Sequence, residues 1–383
     1  MSDDRPATHA PVDNVLIVGG GPAGLTAAIA LRQAGVANVE IAEINDIRSV
    51  VGSELSVASA MLRALDTIGV AEAVVSRGVA LNEASLCGLD GDVHATVPFP
   101  RVAGDHLPGA VGITRPALHD LLWDAAKNAG AIERMGCEVT AISDGPDNAV
   151  VSFSDGTQGT YNLVIGADGV RSTVRSLVFP DAPTPKYAGQ MAWRARVPRR
   201  TEPMLAVFDM PGRRAGLITV TDTDSYLFLL VNQAEPERIS RDDYPRRMRE
   251  ALADFGGPIA AVRDDIVDPL AVHYSPLTPL LLPPPWYRNH VILIGDAAHA
   301  TTPHLAFGAG LSVEDGVILG QELGRASSLP DGLSSFTTRR WERCRMVVEN
   351  GLQILNWGLD PNAPNADPNG LTMSSQMAIC EPA

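Results

Sequence analysis

The chain carries the stretch Gly19-Gly20-Gly21-Pro22-Ala23-Gly24 near its amino end, and this stretch decides the fold. An apolar run, Val15-Leu16-Ile17-Val18, precedes it, as expected for a buried parallel strand. After it, residues 25–34 have the pattern of a helix that ends at a glycine, and residues 39–43 read as a second strand. The stretch is therefore the turn of a βαβ unit.

Each glycine of this turn has a physical role that the spacing predicts. Gly19 permits the tight turn, Gly21 lets the backbone approach a pyrophosphate, and Gly24 lets helix and strand pack closely. Pro22 and Ala23 open the helix, whose free N–H groups and dipole favour phosphate. A carboxylate at the end of the second strand, Glu43, is placed to accept ribose hydroxyls and disfavours a 2′-phosphate. The unit therefore predicts binding of FAD or NAD.

Two later stretches separate these cofactors. Gly166-Ala167-Asp168-Gly169 and Gly295-Asp296-Ala297-Ala298-His299 follow buried strands. With them the sequence, from about residue 15 to 348, resembles the single-component FAD-dependent aromatic hydroxylases, the flavoprotein monooxygenase family of para-hydroxybenzoate and salicylate hydroxylases. By this resemblance Asp168 and Gly169 contact FAD and the pyridine nucleotide, and Gly295 and Asp296 hold the ribityl chain of FAD.

The resemblance also assigns the flavin ring contacts. Pro303 and the turn Gly308-Ala309-Gly310 match the family's loop beside the ring. Backbone N–H groups of Ala309 and Gly310, where a helix begins near Leu311, would then stabilise negative charge in the reduced ring. Arg48 and Arg115 match family arginines that contact FAD.

The activity that the resemblance implies is an oxidation with NADH or NADPH as transient co-substrate. In that family FAD is reduced, O₂ adds to give a flavin C4a-hydroperoxide, and one oxygen passes to a small activated aromatic, phenolic or of the hydroxypyridine type. The alternatives are an epoxidase, a Baeyer–Villiger monooxygenase or a dehydrogenase, and, in another class, a non-catalytic flavin sensor. Substrate-stimulated oxygen use separates the enzymes from the sensor.

Candidate catalytic residues are His304, Pro303, Ser56 and Tyr226. His304, beside the expected pocket, is the first candidate for a general base, and a loop histidine bonded to backbone is the alternative. Ser56 lies where some relatives have a pocket histidine. Tyr226, like Phe208 and Thr219, lies on a predicted strand above the flavin, with sheet packing as the alternative. Phe307, at a position where relatives commonly have glutamine, is expected to narrow the pocket.

The predicted fold class is α/β: a Rossmann-like FAD-binding (βαβ) domain, an inserted and mainly antiparallel β-sheet substrate domain, and C-terminal helices. The FAD-binding domain is expected over residues 1–76, 105–183 and 285–345, and the substrate-binding domain over 77–104 and 184–284. Residues 346–383 are expected to form a C-terminal helix and a flexible tail, because the sequence from about 359 is of low complexity.

Composition limits the partners. The 383 residues carry a formal net charge of −15, which argues against nucleic acid and anionic membrane as partners. An anionic substrate or nucleotide needs a local positive site, for which the candidates are Arg194, Arg196, Arg199, Arg200, Arg213 and Arg214. Four scattered cysteines predict reduced thiols in the cytoplasm. No metal site, no membrane span, and a monomer or homodimer are expected.

Overall fold

A computed structural model describes residues 10–47, 54–202, 204–360 and 362–383. Its strands are β1 (Asn14–Val18), β2 (Asn38–Glu43), β3 (Leu55–Ala58), β4 (Val79–Leu81), β5 (Glu83–Cys87), β6 (Val93–Pro98), β7 (Ala110–Ile113), β8 (Ile132–Met135), β9 (Val139–Asp144), β10 (Ala149–Phe153), β11 (Gln158–Tyr161), β12 (Leu163–Gly166), β13 (Gln190–Pro198), β14 (Leu205–Met210), β15 (Arg213–Thr219), β16 (Asp224–Asn232), β17 (Val272–Pro276), β18 (Tyr287–Arg288) and β19 (Val291–Leu293). Its helices are α1 (Pro22–Gln33), α2 (Ser59–Thr67), α3 (Ala71–Arg77), α4 (Arg115–Asn128), α5 (Thr173–Val178), α6 (Tyr244–Ala251), α7 (Gly257–Arg263), α8 (Asp296–His299), α9 (Gly308–Arg325), α10 (Leu329–Leu359) and α11 (Pro368–Cys380).

A six-stranded sheet in the order β18-β19-β12-β1-β2-β8 forms the first layer. All neighbouring pairs from β19 to β8 are parallel, and only β18 is antiparallel. The three glycine-containing stretches follow the adjacent strands β1, β12 and β19. Because carboxyl ends of parallel strands meet at one edge of the sheet, segments far apart in sequence converge there.

Helices α1 and α9 pack side by side on this sheet and run in the same direction. A Cβ at Gly316 would lie 2.2 Å from the Thr26 hydroxyl, and one at Gly320 would lie 2.5 Å from the Ala30 Cβ. Glycines four residues apart on α9 therefore let the backbones of α1 and α9 approach closely. Because the two helices run in the same direction, their positive amino ends lie at the same end.

A seven-stranded sheet, β17-β13-β16-β15-β14-β5-β6, forms the second layer and is antiparallel except between β14 and β5. One face carries Trp193, Phe208 and Leu229, which are buried with Met248 of α6 and Ile259 of α7. The register places Arg194 beside Phe228 and His273, and Arg196 beside Tyr226, on the opposite face. The predicted α/β fold with an antiparallel sheet is confirmed, and the domain boundaries stay predictions.

Two small sheets complete the strands, β3-β7-β4 and β11-β10-β9. Strand β4 therefore pairs with β7, while β5 and β6, from the same predicted segment 77–104, extend the large sheet.

The C-terminal region differs from the expectation. The predicted flexible tail contains α11, which packs on α10 and carries the buried side chains of Ser375 and Ile379. The composition argument did not predict this helix, whose carboxyl end is joined to Arg63 and Arg343 by tertiary hydrogen bonds that composition does not show. Within the described residues, no helix combines the length and apolar character that crossing a membrane needs.

Candidate cofactor and active site

The turn after β1 has the geometry that its glycines predict. Gly19 has φ +107°, and a Cβ there would lie 2.5 Å from the Ala167 carbonyl oxygen. A Cβ at Gly24 would lie 2.1 Å from the Gly19 carbonyl oxygen. A Cβ at Gly21 would meet no atom within 4 Å, so Gly21 borders open space at the amino end of α1. That space is where a pyrophosphate would lie against the free N–H groups.

Glu43 supports this turn from the end of β2. Its Oε2 accepts a hydrogen bond from the Gly20 N–H at 2.9 Å, and its Oε1 accepts one from the Asn45 N–H at 3.1 Å. His119 Nε2 lies 2.9 Å from the Gly20 carbonyl oxygen. The carboxylate is therefore fixed beside the phosphate turn, and its predicted role toward ribose stays a prediction.

Asp168 and Gly169 follow β12. Asp168 Oδ2 accepts the Val174 N–H at 3.0 Å, while its Oδ1 is buried without a partner among the described residues. Burial chiefly raises the pKa of Asp168, against hydrogen bonds from Ser172 and Val174. Gly169 takes φ +78°.

Arg175 joins the second and third glycine-containing stretches. Its guanidinium donates to the Ala297 carbonyl at 2.8 Å and to the Val170 carbonyl at 2.7 Å. The side chain is buried, so this link is internal to the protein. The sequence analysis did not predict this link.

Asp296 begins α8 directly after Gly295, which has φ +60°. Burial is the main factor that raises the pKa of Asp296, and the positive charges of His299 and Arg115 oppose it. The residue is nevertheless exposed to solvent. The name cleft is used here for the region around Arg115 in which the charges of Asp296, Arg194 and Tyr226 act on its guanidinium. A carboxylate in this place can accept hydrogen bonds from a polyol chain.

A buried charged cluster, which sequence reasoning did not predict, holds the Gly295 turn on its buried side. Asp315 Oδ2 accepts the Gly295 N–H at 2.8 Å and lies 2.6 Å from His299 Nε2. Its Oδ1 accepts from Arg340 Nε at 2.7 Å, and Arg340 also donates to Glu314 at 2.9 Å.

Charge compensation inside the cluster sets its protonation. Burial alone would raise the pKa of Asp315, but His299 and Arg340 outweigh it and lower that pKa to about 2. Burial alone would lower the pKa of His299, but Cys344 and Asp315 outweigh it and raise that pKa well above its ordinary value. His299, Asp315 and Cys344 lie close enough to be metal ligands, but both oxygens of Asp315 are already hydrogen-bonded.

The segment from Pro303 to Leu311 forms a tight turn and then α9. Pro303–Leu305 is a single 3₁₀ turn, and Ala306 after it has φ +52°. The N–H groups of Gly308, Ala309 and Gly310 belong to the first turn of α9 and have no acceptor within the helix. The helix thus begins at Gly308, earlier than expected, with Leu311 buried in its first turn.

Phe307 was expected to narrow the pocket, but it does not. Its ring is buried in the core, and a Cβ at Gly310 would lie 2.3 Å from that ring. The large side chain at 307 and the missing one at 310 therefore compensate each other.

The four candidate catalytic residues lie on three elements. His304 is half-buried, with Nδ1 3.1 Å from the Thr302 hydroxyl, and burial followed by repulsion from Arg214 lowers the pKa of His304 to about 3. Pro303 begins the same turn. Tyr226 is buried on the cleft-facing side of β16, whereas Ser56 is half-buried on β3 opposite Gly112. Their catalytic roles stay predictions.

Phe208 and Thr219 are on the wrong face to contact a ligand in the cleft. Phe208 packs against Phe255 with ring centroids 6.4 Å apart, and the Thr219 hydroxyl accepts the Met204 N–H at 3.0 Å. For these two residues the packing alternative is correct.

Four of the six candidate arginines are paired with carboxylates. The pairs are Arg196–Glu54 at 2.6 Å, Arg200–Asp265 at 2.8 Å, Arg213–Asp254 at 2.8 Å and Arg214–Asp209 at 3.3 Å. Arg194 instead donates to the Ser275 hydroxyl at 3.1 Å.

Arg115 and Arg194 bring positive charge to the cleft. Burial lowers the pKa of Arg115, the charge of Arg194 lowers it further, and Tyr226 and Asp296 act in the opposite direction. Arg194, Tyr226 and Asp296, from separate segments, therefore all lie within electrostatic reach of Arg115. Arg48, the other arginine assigned to FAD, lies outside the described residues.

The residues present fit FAD. Open space at Gly21 accepts a pyrophosphate, Asp296 offers a carboxylate in the cleft, and α9 offers free N–H groups to a flavin ring. The fold and these three turns define a flavoprotein.

Comparisons with known proteins agree. A family described as FAD binding domain matches residues 13–351. The 2-heptyl-3-hydroxy-4(1H)-quinolone synthase of Pseudomonas aeruginosa is 33% identical over 309 residues, which are 80% of this chain and 79% of that protein. Aurachin C monooxygenase/isomerase of Stigmatella aurantiaca is 30% identical, with 91% of this chain and 90% of that protein covered. The structure of Klebsiella pneumoniae HpxO with FAD and uric acid has a TM-score of 0.80 at 22% identity, with 96% and 92% covered.

The chain belongs to this family of FAD-binding proteins. It is a FAD-dependent monooxygenase of the aromatic hydroxylase kind, with NAD(P)H as electron donor.

Proposed function

We propose that this enzyme hydroxylates a small aromatic ring bearing an ionisable oxygen, of the phenol or hydroxypyridine type. The observation that carries the proposal is the pair Arg115 and Arg194, two cationic side chains within electrostatic reach of each other in a chain of net charge −15. A neighbouring positive charge favours the anionic form of a ring oxygen. The anion makes the ring more nucleophilic, which favours attack on an electrophilic oxygen atom.

Bound FAD would supply the redox chemistry by accepting electrons from NAD(P)H and activating O₂. Gly21 and the amino end of α1 would hold the pyrophosphate, and Asp296 the ribityl chain. The N–H groups of Ala309 and Gly310 would face the flavin ring. The protein's task is then to orient the aromatic ring and exclude water.

His304 is a weak candidate for the base. The pKa of His304 is about 3, so its protonated imidazole is a far stronger acid than a phenol of pKa about 10. His304 therefore cannot hold a proton taken from the phenol. We infer that neutral His304 orients the substrate by hydrogen bonding and that the arginine pair supports ionisation.

Two relatives favour a fused heteroaromatic ring within this class. One is named for a 3-hydroxy-4-quinolone, and a 4-quinolone is the keto tautomer of a 4-hydroxyquinoline. The other is named for aurachin C. 4-Quinolones therefore belong in a substrate panel beside phenolic acids and hydroxypyridines.

We also propose a cytoplasmic location, which four free cysteines support.

The first test is binding and turnover with that panel. The FAD-loaded protein is mixed with NADH or NADPH, and nucleotide oxidation, hydrogen peroxide and hydroxylated product are measured together. One compound should stimulate oxidation and gain oxygen. Stimulated oxidation with peroxide as the sole product for every ring would contradict the proposed hydroxylation.

The second test addresses the arginine pair. The ultraviolet spectrum of the bound ring reports its ionisation, and its apparent pKa should lie below that of the free ring. Arg194→Gln should raise this bound pKa toward the free value. Arg200→Gln is the matched control, because Arg200 is paired with Asp265 and half-exposed. An equal bound pKa in wild type and Arg194→Gln would refute the proposed role.

A further inference from the structure

The C-terminal helix α11 contacts the turn that carries His304. Gln376 Nε2 on α11 donates a hydrogen bond to the Leu305 carbonyl at 2.8 Å, across 71 positions of sequence. We propose that Gln376 is a positioning residue that clamps the Pro303–Ala306 turn and thereby fixes His304 toward the substrate. The proposal rests on the proposed function for the role of His304, but not for the clamp itself.

The clamped turn has a conformation that needs outside support. Ala306 follows Leu305 directly and has φ +52°, a left-handed conformation that L-residues adopt at a cost. Such conformations persist where surrounding contacts determine them. Within the turn, the Ala306 N–H bonds to the Pro303 carbonyl at 2.9 Å, and Leu305 is buried. The Gln376 hydrogen bond fixes the peptide group that enters Ala306.

Helix α11 is rigidly held, as a clamp must be. Arg63 of α2 donates to the carbonyls of Cys380 at 2.7 Å and Glu381 at 2.6 Å. Arg343 of α10 donates to the Ile379 carbonyl at 2.6 Å and to Glu314 of α9 at 2.8 and 2.7 Å. These arginines lie at the carboxyl end of α11, where positive charge is favourable. Gln376 therefore reaches the turn from a helix that is hydrogen-bonded to α2 and α10, and Arg343 in turn ties α10 to α9.

The segment before the turn lies near the other C-terminal helix. The Thr301 hydroxyl lies 3.4 Å from the Val347 carbonyl of α10 and 3.4 Å from the Thr302 carbonyl, both long for a hydrogen bond. The Gln376 hydrogen bond, at 2.8 Å, is therefore the contact that restrains the turn carrying the half-buried imidazole of His304. Loss of the Gln376 contact removes this restraint, so His304 should sample other positions and the aromatic ring should be oriented less well.

The experiment compares Gln376→Ala with Met373→Ala, a change of an exposed residue on the same helix. Amide hydrogen exchange of residues 301–307 is measured in the FAD-loaded and the FAD-free protein. Exchange in Gln376→Ala should rise about fivefold, the factor expected for losing one typical hydrogen bond. Met373→Ala should exchange like the wild type. Gln376→Glu keeps the size of the side chain but loses the donor, and it serves as the second variant if Gln376→Ala folds poorly.

Turnover gives a readout that a purely structural contact would not change. At saturating substrate, Gln376→Ala should increase the ratio of hydrogen peroxide to hydroxylated product severalfold, with unaltered affinity for FAD. Unchanged exchange over residues 301–307 would overturn the clamp. Faster exchange with an unchanged product ratio would overturn the positioning role. A wild type that hydroxylates no ring would instead refute the proposed function, and the exchange result would still decide the clamp.

Discussion

A substitution at Gly21 should weaken cofactor binding without affecting folding. Its φ of −77° and ψ of 178° suit any L-residue, and its side-chain position is open. Gly21→Val should therefore leave the FAD-free protein as stable as the wild type. The valine would occupy the pyrophosphate space, so FAD affinity measured by flavin fluorescence should fall at least about a hundredfold, or about 2.7 kcal/mol.

Gly19→Val is the contrasting variant. Its φ of +107° and the Ala167 carbonyl at 2.5 Å leave no place for a side chain, so even the FAD-free protein should lose stability. A Gly21→Val protein that binds FAD like the wild type would show that the pyrophosphate lies elsewhere.

The lowered pKa of His304 predicts that the free energy of unfolding falls as the pH is lowered. Its folded pKa of about 3 lies below its ordinary value of 6.5, so the unfolded chain binds the extra proton between these pH values. This residue therefore costs stability as the pH falls from about 6.5 toward about 3. His304→Gln should lose less stability than the wild type between pH 7.5 and 4.5 in urea denaturation. Equal losses would mean that His304 is not held neutral.

At the scale of elements, helix α10 carries a buried arginine and a part-exposed arginine. Their contributions to the free energy of unfolding should differ. Arg340 is fully buried against Asp315 and Glu314, whereas Arg345 is part-exposed beside Glu342 and Glu349. Arg340→Met removes one of the two cationic partners of each buried carboxylate, leaving His299 to Asp315 and Arg343 to Glu314, and should cost about 3–5 kcal/mol. Arg345→Met, the matched control, should cost at most about 1 kcal/mol.

Urea denaturation of the FAD-free protein measures both values. Because Asp315 also holds the Gly295 N–H, Arg340→Met should in addition weaken FAD binding. Similar stabilities for the two variants would contradict the view that the buried cluster supports the cofactor turn.

The elements also show where sequence reasoning succeeded and where it stopped. Turns and buried strands were predictable because their signals are local: an apolar run, then glycines at fixed spacing. The cluster around Asp315 was not, because Gly295, Asp315 and Arg340 are joined only by tertiary contacts. Strand periodicity alone did not tell which face of the sheet Tyr226 and Phe208 occupy, since that depends on what covers each face. Helix α11 was missed because composition does not show its tertiary hydrogen bonds to Arg63 and Arg343.

At the scale of the whole molecule, the parallel sheet explains why three distant stretches act together. They follow adjacent strands, so their turns meet at one edge, and Arg175 links two of them. The second sheet contributes Arg194 and Tyr226 to the same cleft through strand register. The cofactor could therefore be inferred from motifs, whereas the meeting of Arg115 and Arg194 required the assembled fold.

A monooxygenase of this kind transfers one oxygen atom of O₂ to an aromatic ring. Turnover under ¹⁸O₂ with the ring that best stimulates NAD(P)H oxidation, followed by mass spectrometry of the product, tests this transfer. We expect one ¹⁸O atom in each product molecule and one nucleotide consumed per product in the coupled reaction. Product without ¹⁸O, or oxidation of the ring without added oxygen, would contradict it.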